Sequence, residues 1–590
     1  MTTYQQERWS LDDLFPGHET KEFKDGKASL EKDIEAFEKN RSKLDVEISE
    51  EEFMQIVSEL ESVSIQSSRL SSYAGLWFSE DTQDQDAQAL QAQIDQFLVG
   101  LGNKTLFFSL WWKQLDQATA DRLMDASGDF KYWLEEMRHF TPHTLSEPEE
   151  KIINIKDVTG SNALITLYSS ITNRYSFKVE VDGEEKDLTR GELMVYARNQ
   201  DPDLRAAIYQ ELYRVYGDDG PILGQIYQTV VRDWSNENID LRNYKSPISV
   251  RNLRNDVPDV AVDALLEVCE KNAPVFQRFF DLKARWLKID QLRRYDIYAP
   301  VAQSDKTYTY QEGVDMVLDA FTDFEPRIAK LAERILADGH VDSEIRKGKR
   351  GGAFCATVDN KISPWVLINY QGDANSVATL AHELGHGIHS LLAKDHSFFT
   401  FHSSLPLAEN ASTFGEMLLI DKLLSQEEDP AVRRDILFTQ VDDAYATIMR
   451  QSFFALFERE AHQMIKDGAI IDDLSEMYLE NLRKQFGKAV SVSDEFRWEW
   501  VSIPHFYHTP FYVYAYAFGQ LLVLSLYQRY QQEGDSFKPG YISILEAGGS
   551  QAPAKILADA GIDISSPAFW QGGFDVIDGM VNELEDLPIE

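Results

Sequence analysis

His382, Glu383 and His386 stand in the order His-Glu-x-x-His, a spacing that suits metal chemistry. On a helix, residues four apart lie one turn above one another, so both imidazoles can reach a single zinc ion. Glu383 then falls beside the ion rather than on it, where its carboxylate can take a proton from a zinc-bound water. The surrounding residues predict that helix. Asp373 and Asn375 are candidate N-caps, and Val377, Leu380, Ala381, Leu384, Ile388 and Leu391 supply an apolar face. Gly385 and Gly387 each cost a helix roughly 1 kcal/mol relative to Ala, which predicts that something packs closely there.

A catalytic zinc takes three protein ligands and keeps one position open. The metzincin pattern places Gly seven residues and His ten residues after the first histidine; His389 and Leu392 occupy those positions, which excludes that subclass. A carboxylate from a second helix is the other common solution, and Glu409 is the expected third ligand. Glu416, two turns later on nearly the same face, is placed to hold a ligand histidine in its tautomer. His389 also falls on the metal face, but three histidines from one helix would strain a tetrahedron. It is read as support for the ligands or as core.

The elements that must position this segment are mostly helical. From about Thr20 to Met137 apolar residues recur at helical spacing, which predicts an antiparallel array with Trp77, Phe78, Phe107, Phe108, Trp111 and Trp112 in its core. Tyr175 to Val181 alternates and meets Asp182-Gly183, a hairpin turn pair. Thr189 to Glu192 starts a further helical stretch running to about Lys288. Two short β-prone stretches, Phe354 to Val358 and Trp365 to Tyr370, precede the His-Glu-x-x-His helix. Arg346-Lys347-Gly348-Lys349-Arg350 is a basic run read as a surface turn, with a second use in meeting an acidic peptide end. Helices return afterwards, closing with one around Phe574 to Leu587.

The chain has 590 residues and a formal net charge of −40, spread along its length. Such a field repels phosphate, so nucleic acid is not an expected partner. A highly hydrated surface accounts for the acidity, and a saline habitat would select for it as well. Cys269 and Cys355 make no disulfide framework, in keeping with a reduced compartment. Met1 to Trp9 does not read as a signal peptide, and the most apolar run, Tyr512 to Leu526, is too interrupted for a membrane span. A cytoplasmic location with no membrane partner is the expectation; oligomeric state is not legible.

With those residues in view, the chain resembles the thimet oligopeptidase/oligoendopeptidase F family of zinc metallopeptidases, most closely the oligoendopeptidase F branch. The likeness runs through Gly351 to Cys355, Ser363 to Tyr370, the His-Glu-Leu-Gly-His helix, Ala408-Glu409, Ile503 to Tyr507, Phe511 to Tyr514 and Gly548 to Ser550, in family order. It implies a mainly α fold, a large helical body of two halves around a deep substrate channel, with a small β element beside the zinc helix. It divides the chain into an N-terminal helical region, 1–190, and a catalytic region, 191–590. One zinc on His382, His386 and Glu409 is implied, with Glu383 as general base. A His and a Tyr from the late aromatic segment hold the substrate carbonyl; His505 and Tyr514 are favoured, with His508, Tyr507 and Tyr512 as competitors. Gly352, Ala353, Phe354 and Trp365 are expected to meet the substrate backbone.

The implied function is zinc-dependent cleavage of internal bonds in unstructured oligopeptides. A metallocarboxypeptidase or dipeptidase on a related fold is the alternative, and a non-catalytic helical peptide-binding protein a remote one. Cleavage preference, substrate length and the physiological peptide are not legible.

Overall fold

The computed structural model describes residues 3–301 and 306–589. Residues 1 and 2 of the Met1 to Trp9 stretch lie outside the described residues. The chain is mainly α-helical, as expected. Long helices α1 (Lys21–Glu38), α2 (Glu50–Glu80) and α3 (Gln85–Gln114) come first. Thr20, Ser49 and Asp84 cap them, each accepting a backbone N–H of the first turn. Hairpin strands β1 (Phe177–Val181) and β2 (Glu184–Leu188) follow, joined through Asp182 and Gly183 at positive φ. Thr189 and Glu192 form a capping box at the next helix. Further on lie strands β3 (Val341–Asp342), β4 (Phe354–Ala356) and β5 (Trp365–Leu367), then helices α4 (Ala374–Leu392), α5 (Asn410–Gln426) and α6 (Tyr514–Glu533). The last helix spans Pro567–Asp586, starting earlier than the sequence predicts, because Pro567 fits a first helical turn after extended Ser566.

The described residues form two compact units interleaved along the sequence. The first comprises residues 1–141, 306–426 and 530–562. Leu30 and Ile34 of α1, Leu70 and Ala74 of α2 and Ile94 of α3 pack in one core with Trp365 and Leu367 of β5. Each such large apolar burial stabilises by roughly 1.5–3 kcal/mol. A second core gathers Phe53, Phe107, Phe108 and Trp112, as the aromatic stripe predicts, while Trp77, Phe78 and Trp111 are only partly covered. In the small sheet β5 is central, parallel to β3 and antiparallel to β4, so β4 is an edge strand.

α4 packs on α5 and on the helix Pro326–Ala337. A Cβ at Gly385 would lie 2.5 Å from the Ala411 carbonyl oxygen, and one at Gly387 2.5 Å from Cδ1 of Ile335. Gly385 therefore lets the α5 backbone come close to α4, and Gly387 makes room for the Ile335 side chain.

The second unit comprises residues 142–305, 427–529 and 563–590. It carries the β1–β2 hairpin and a helical body with a buried Arg294–Glu499 ion pair at 2.7 Å. Before α6 the chain makes a tight turn in which Phe511 has φ +60°. The Phe511 N–H donates to Glu458 Oε1 at 2.8 Å, and the Pro510 carbonyl accepts from Arg251 Nε at 3.2 Å.

Candidate metal centre

Asp373 is the N-cap of α4; its carboxylate accepts from the Ser376 N–H at 2.8 Å. From that start the helix places His382 and His386 on one face, with their Nε2 atoms 3.2 Å apart. Glu409, immediately before α5, brings Oε2 to 3.4 Å from His382 Nε2 and 3.5 Å from His386 Nε2. These three donor atoms lie within 4.8 Å of one another.

The donors fit a divalent cation. His382 Nδ1 meets the Glu416 carboxylate, which leaves Nε2 to carry the lone pair. His386 is hydrogen-bonded to the Ala408 backbone, and Ser412 Oγ donates to Glu409 Oε2 at 2.8 Å. Burial disfavours a charged His382, yet the hydrogen bond and charge of Glu416, with Glu409 and Glu383, outweigh it and push its pKa up to about 9. Burial holds His386 down, opposed by Glu409 and aided by His382. The cluster thus concentrates negative charge around facing imidazole lone pairs, which positive charge relieves.

Glu383 is 6% exposed and sits beside these donors without joining them. Burial, then the charges of Glu409 and Glu416, raise its pKa to about 7 against the opposing pull of His382. A carboxylate poised there can both take and return a proton near neutrality. His382 and Glu383 line two cavities of about 620 and 430 Å³. Gly352 and Ala353 line the larger; Ala353 and Phe354 line the smaller, with His386 and His389. His389 is buried, its pKa lowered to about 4 by burial and by His386 and His402, and its Nε2 has no hydrogen-bond partner among the described residues. It does not join the three donor atoms.

Trp365 is a correction to the sequence reading. Its strand, β5, is paired on both sides, its side chain is fully buried, and its indole N–H donates to the Ser10 carbonyl at 2.8 Å. No edge remains there for a substrate. The unpaired edge belongs to β4, which keeps Gly352, Ala353 and Phe354 beside the cavities.

The late aromatic segment corrects two more residues. Tyr514 is 1% exposed, and its hydroxyl accepts from Asn255 Nδ2 at 3.0 Å. Tyr507 is fully buried, stacked on Tyr168 at 3.7 Å, with its hydroxyl donating to the Leu223 carbonyl. Both belong to the core of the second unit and cannot hold a substrate carbonyl. His505 and Tyr512 are partly exposed with parallel rings 6.2 Å apart, and His508 is exposed, within 3.3 Å of Ser169 Oγ. The residue sequence reasoning missed is Tyr516, 39% exposed, whose hydroxyl lies 3.4 Å from His505 Nε2. α6 begins at Tyr514, and two residues along a helix is about 200°, so burying Tyr514 turns Tyr516 outward.

Fold and site together define a helical metallopeptidase of the His-Glu-x-x-His class. The model of peptidase family M3 matches residues 195–576, and that described as Oligopeptidase F matches 111–177; the chain belongs to peptidase family M3. It is similar to Oligopeptidase PepF of Bacillus subtilis, 28% identical over 595 residues, covering 99% of this chain and 87% of the relative. It is also similar to the chromosomal oligoendopeptidase F of Lactococcus lactis subsp. cremoris, 27% identical over 549 residues, covering 91% and 90%. Among solved structures, a putative peptidase from Chlamydophila abortus aligns with TM-score 0.90 at 24% identity over 98% of each chain. Oligoendopeptidase-F from Enterococcus faecium aligns at TM-score 0.70, 24% identity, over 96% of this chain and 98% of that one. The protein is an oligoendopeptidase F-like metalloendopeptidase, and its family implies peptide substrates and a metal. No helix among the described residues is long and apolar enough to cross a membrane.

Proposed function

We propose that the protein is a zinc-dependent endopeptidase acting on internal bonds of unstructured oligopeptides. The observation that carries this reading is the convergence of His382, His386 and Glu409 donor atoms beside a buried, uncoordinated Glu383 at the wall of two cavities. When bound to those three residues, zinc supplies Lewis acidity that lowers the pKa of water toward about 7 and polarises a carbonyl. Glu383 accepts the proton of the attacking water and passes it to the leaving amine. Glu416 keeps His382 in its ligating tautomer, and Ser412 orients Glu409. The edge of β4 pairs with the peptide backbone, giving affinity without demanding particular side chains. For the carbonyl-holding role that the family resemblance implies, the exposed donors are His505, Tyr516 and Tyr512.

Neither cavity beside the donors is lined by a Lys or Arg among the described residues, which supports internal cleavage over removal of a single terminal residue, whose carboxylate would lie next to the donors. The matched segments 111–177 and 195–576 fall on either side of residue 190, whereas the compact units join 1–141 with 306–426, so the proposed division into an N-terminal region and a catalytic region is one of sequence segments and not of folding units. The test is mass-spectrometric product mapping of mixed unstructured peptides with metal-depleted protein, with and without added zinc, beside Glu383→Gln. Internal cuts that appear with zinc and vanish in a variant still binding zinc are the expected result. Single-residue trimming would move the reading to a carboxypeptidase, and no cleavage by zinc-loaded protein would end the catalytic reading.

A further inference from the structure

Of the cations in the basic run, two are committed to the fold. Arg346 donates both Nη atoms to Asp342, at 2.7 and 2.6 Å. Lys349 is buried, with Nζ within 3.0 Å of the Asp342, Glu344 and Ile368 carbonyls. Arg350 is different. It is exposed, its guanidinium lies 5.3 Å above the Phe354 ring, and no carboxylate pairs with it among the described residues. The neighbouring acids are engaged elsewhere: Glu80 accepts from the Trp9 indole at 2.6 Å, and Asp81 accepts from the Gln83 N–H at 2.9 Å.

The backbone that carries Arg350 is held firmly. Its N–H donates to the Ser79 carbonyl at 3.0 Å, and Asn369 Nδ2 donates to both the Arg350 and the Gly352 carbonyls, at 3.1 and 2.9 Å. Gly348 and Gly352, at φ +89° and +80°, make the turns on either side. Arg350, Phe354 and Ala356 line a cavity of about 520 Å³ with residues of α2 and Gln91 of α3, and no Asp or Glu lines it.

Strand alternation connects this cavity to substrate. Cys355 faces α4, its sulfur 3.8 Å from where a Cβ on Gly387 would stand, whereas Phe354 and Ala356 pack toward α2 and α3. A peptide added to the edge of β4 keeps that alternation, so the side chain opposite Phe354 projects on the Arg350 face and its neighbours on the α4 face. We propose that Arg350, seated on Phe354 at the β4 edge, is a carboxylate-recognising subsite for one substrate position, taking an acidic side chain or the C-terminal carboxylate. A guanidinium matches a carboxylate with two parallel N–H donors. The inference rests on the peptidase reading above and adds a chemical preference to it.

The test uses an unstructured peptide with neutral side chains. Each position is changed singly to Glu or Lys, every peptide is made as free acid and as C-terminal amide, and zinc-loaded wild type, Arg350→Gln and Arg350→Glu are compared by kcat/KM. One position should favour Glu over neutral by about tenfold or more. That gain should vanish in Arg350→Gln, and Arg350→Glu should prefer Lys there, a reversal that misfolding cannot produce. If amidation removes the gain instead, the terminal carboxylate is the source. A neutral parent cut by wild type, with identical acid preferences in wild type and Arg350→Gln, overturns the subsite and leaves the peptidase standing. A parent that zinc-loaded wild type leaves uncut ends both.

Discussion

The metal-centre helix and the late aromatic segment both present histidines, yet they differ in how tightly their surroundings fix which residue faces outward. In α4 a single helical period runs from the Asp373 cap through His382 and His386, and Gly385 locks the helix against α5. In the late segment a five-residue helix, Pro504–His508, gives way to a turn with Phe511 at positive φ before α6 starts at Tyr514. Each change of local geometry resets the direction in which side chains point. Spacing therefore identifies function where one period holds and misassigns it where periods meet.

The largest expected effect breaks the chemistry while leaving the helix intact. Glu383→Gln should lower kcat by about 10²–10⁴-fold, since it removes the group that moves the proton. Because Glu383 is not among the converging donors, zinc content measured on the same protein should be unchanged. Loss of zinc together with activity would mean that Glu383 is a ligand and that the division of roles in α4 is wrong.

A paired substitution in the late segment tests the other side of the comparison. Tyr516→Phe should lower kcat/KM by about 10²-fold, the scale for losing one donor to a developing oxyanion, with little change in thermal midpoint. Tyr514→Phe should do the reverse. It strands the buried Asn255 Nδ2 and costs about 1–3 kcal/mol of stability while kcat holds. If Tyr514→Phe loses activity and Tyr516→Phe does not, the outward face of α6 has been misread.

How much was legible follows the same line. His382, Glu383 and His386 could be read from a four-residue interval, and Gly385 and Gly387 foretold a close approach because a helix bears their cost for little else. The β1–β2 hairpin could be read because Asp182-Gly183 supplies the positive φ that a tight turn needs. Trp365 could not. A short apolar run such as Trp365-Val366-Leu367 does not reveal whether its strand is central or at an edge, since that depends on whether Val341 and Cys355 both pair with Val366. Tyr514 and Tyr516 likewise alternate as if on a strand, and only the start of α6 decides between them. Arg350 lay within a run read as a surface turn; the sequence did not show that Asp342 would consume Arg346 and hold Lys349.

Gly385→Ala measures how strictly the metal-centre side is specified. Ala gains roughly 1 kcal/mol of helix propensity, but its Cβ meets the α5 backbone, which cannot rotate away as a side chain could. The net effect should be a loss of about 1–2 kcal/mol in denaturant unfolding of metal-depleted protein. Zinc affinity should fall as well, because Glu409 and Ser412 sit where α5 is pushed. A neutral or stabilising result would show that α4 and α5 separate at little cost.

The effect furthest from the chemistry concerns the turn that aims the late segment. Glu458 is fully buried, and burial raises its pKa to about 8 against the Phe511 N–H and the charge of Arg251, both of which favour ionisation. In the unfolded chain the same carboxyl titrates near about 4.3. Below that value both states hold the proton and the full contribution of Glu458 to stability is present. Between about 4.3 and 8 the unfolded state releases its proton while the folded state keeps it, so stability falls by up to about 1.4 kcal/mol per pH unit, levelling off above 8. Glu458→Gln keeps an acceptor for the Phe511 N–H and cannot ionise. Urea unfolding at pH 5, 6, 7 and 8 should show wild type losing stability relative to the variant step by step. Parallel profiles would mean that Glu458 is already charged in the folded protein and that the Phe511 turn is held by a carboxylate, which would make the late segment as electrostatically fixed as the metal centre.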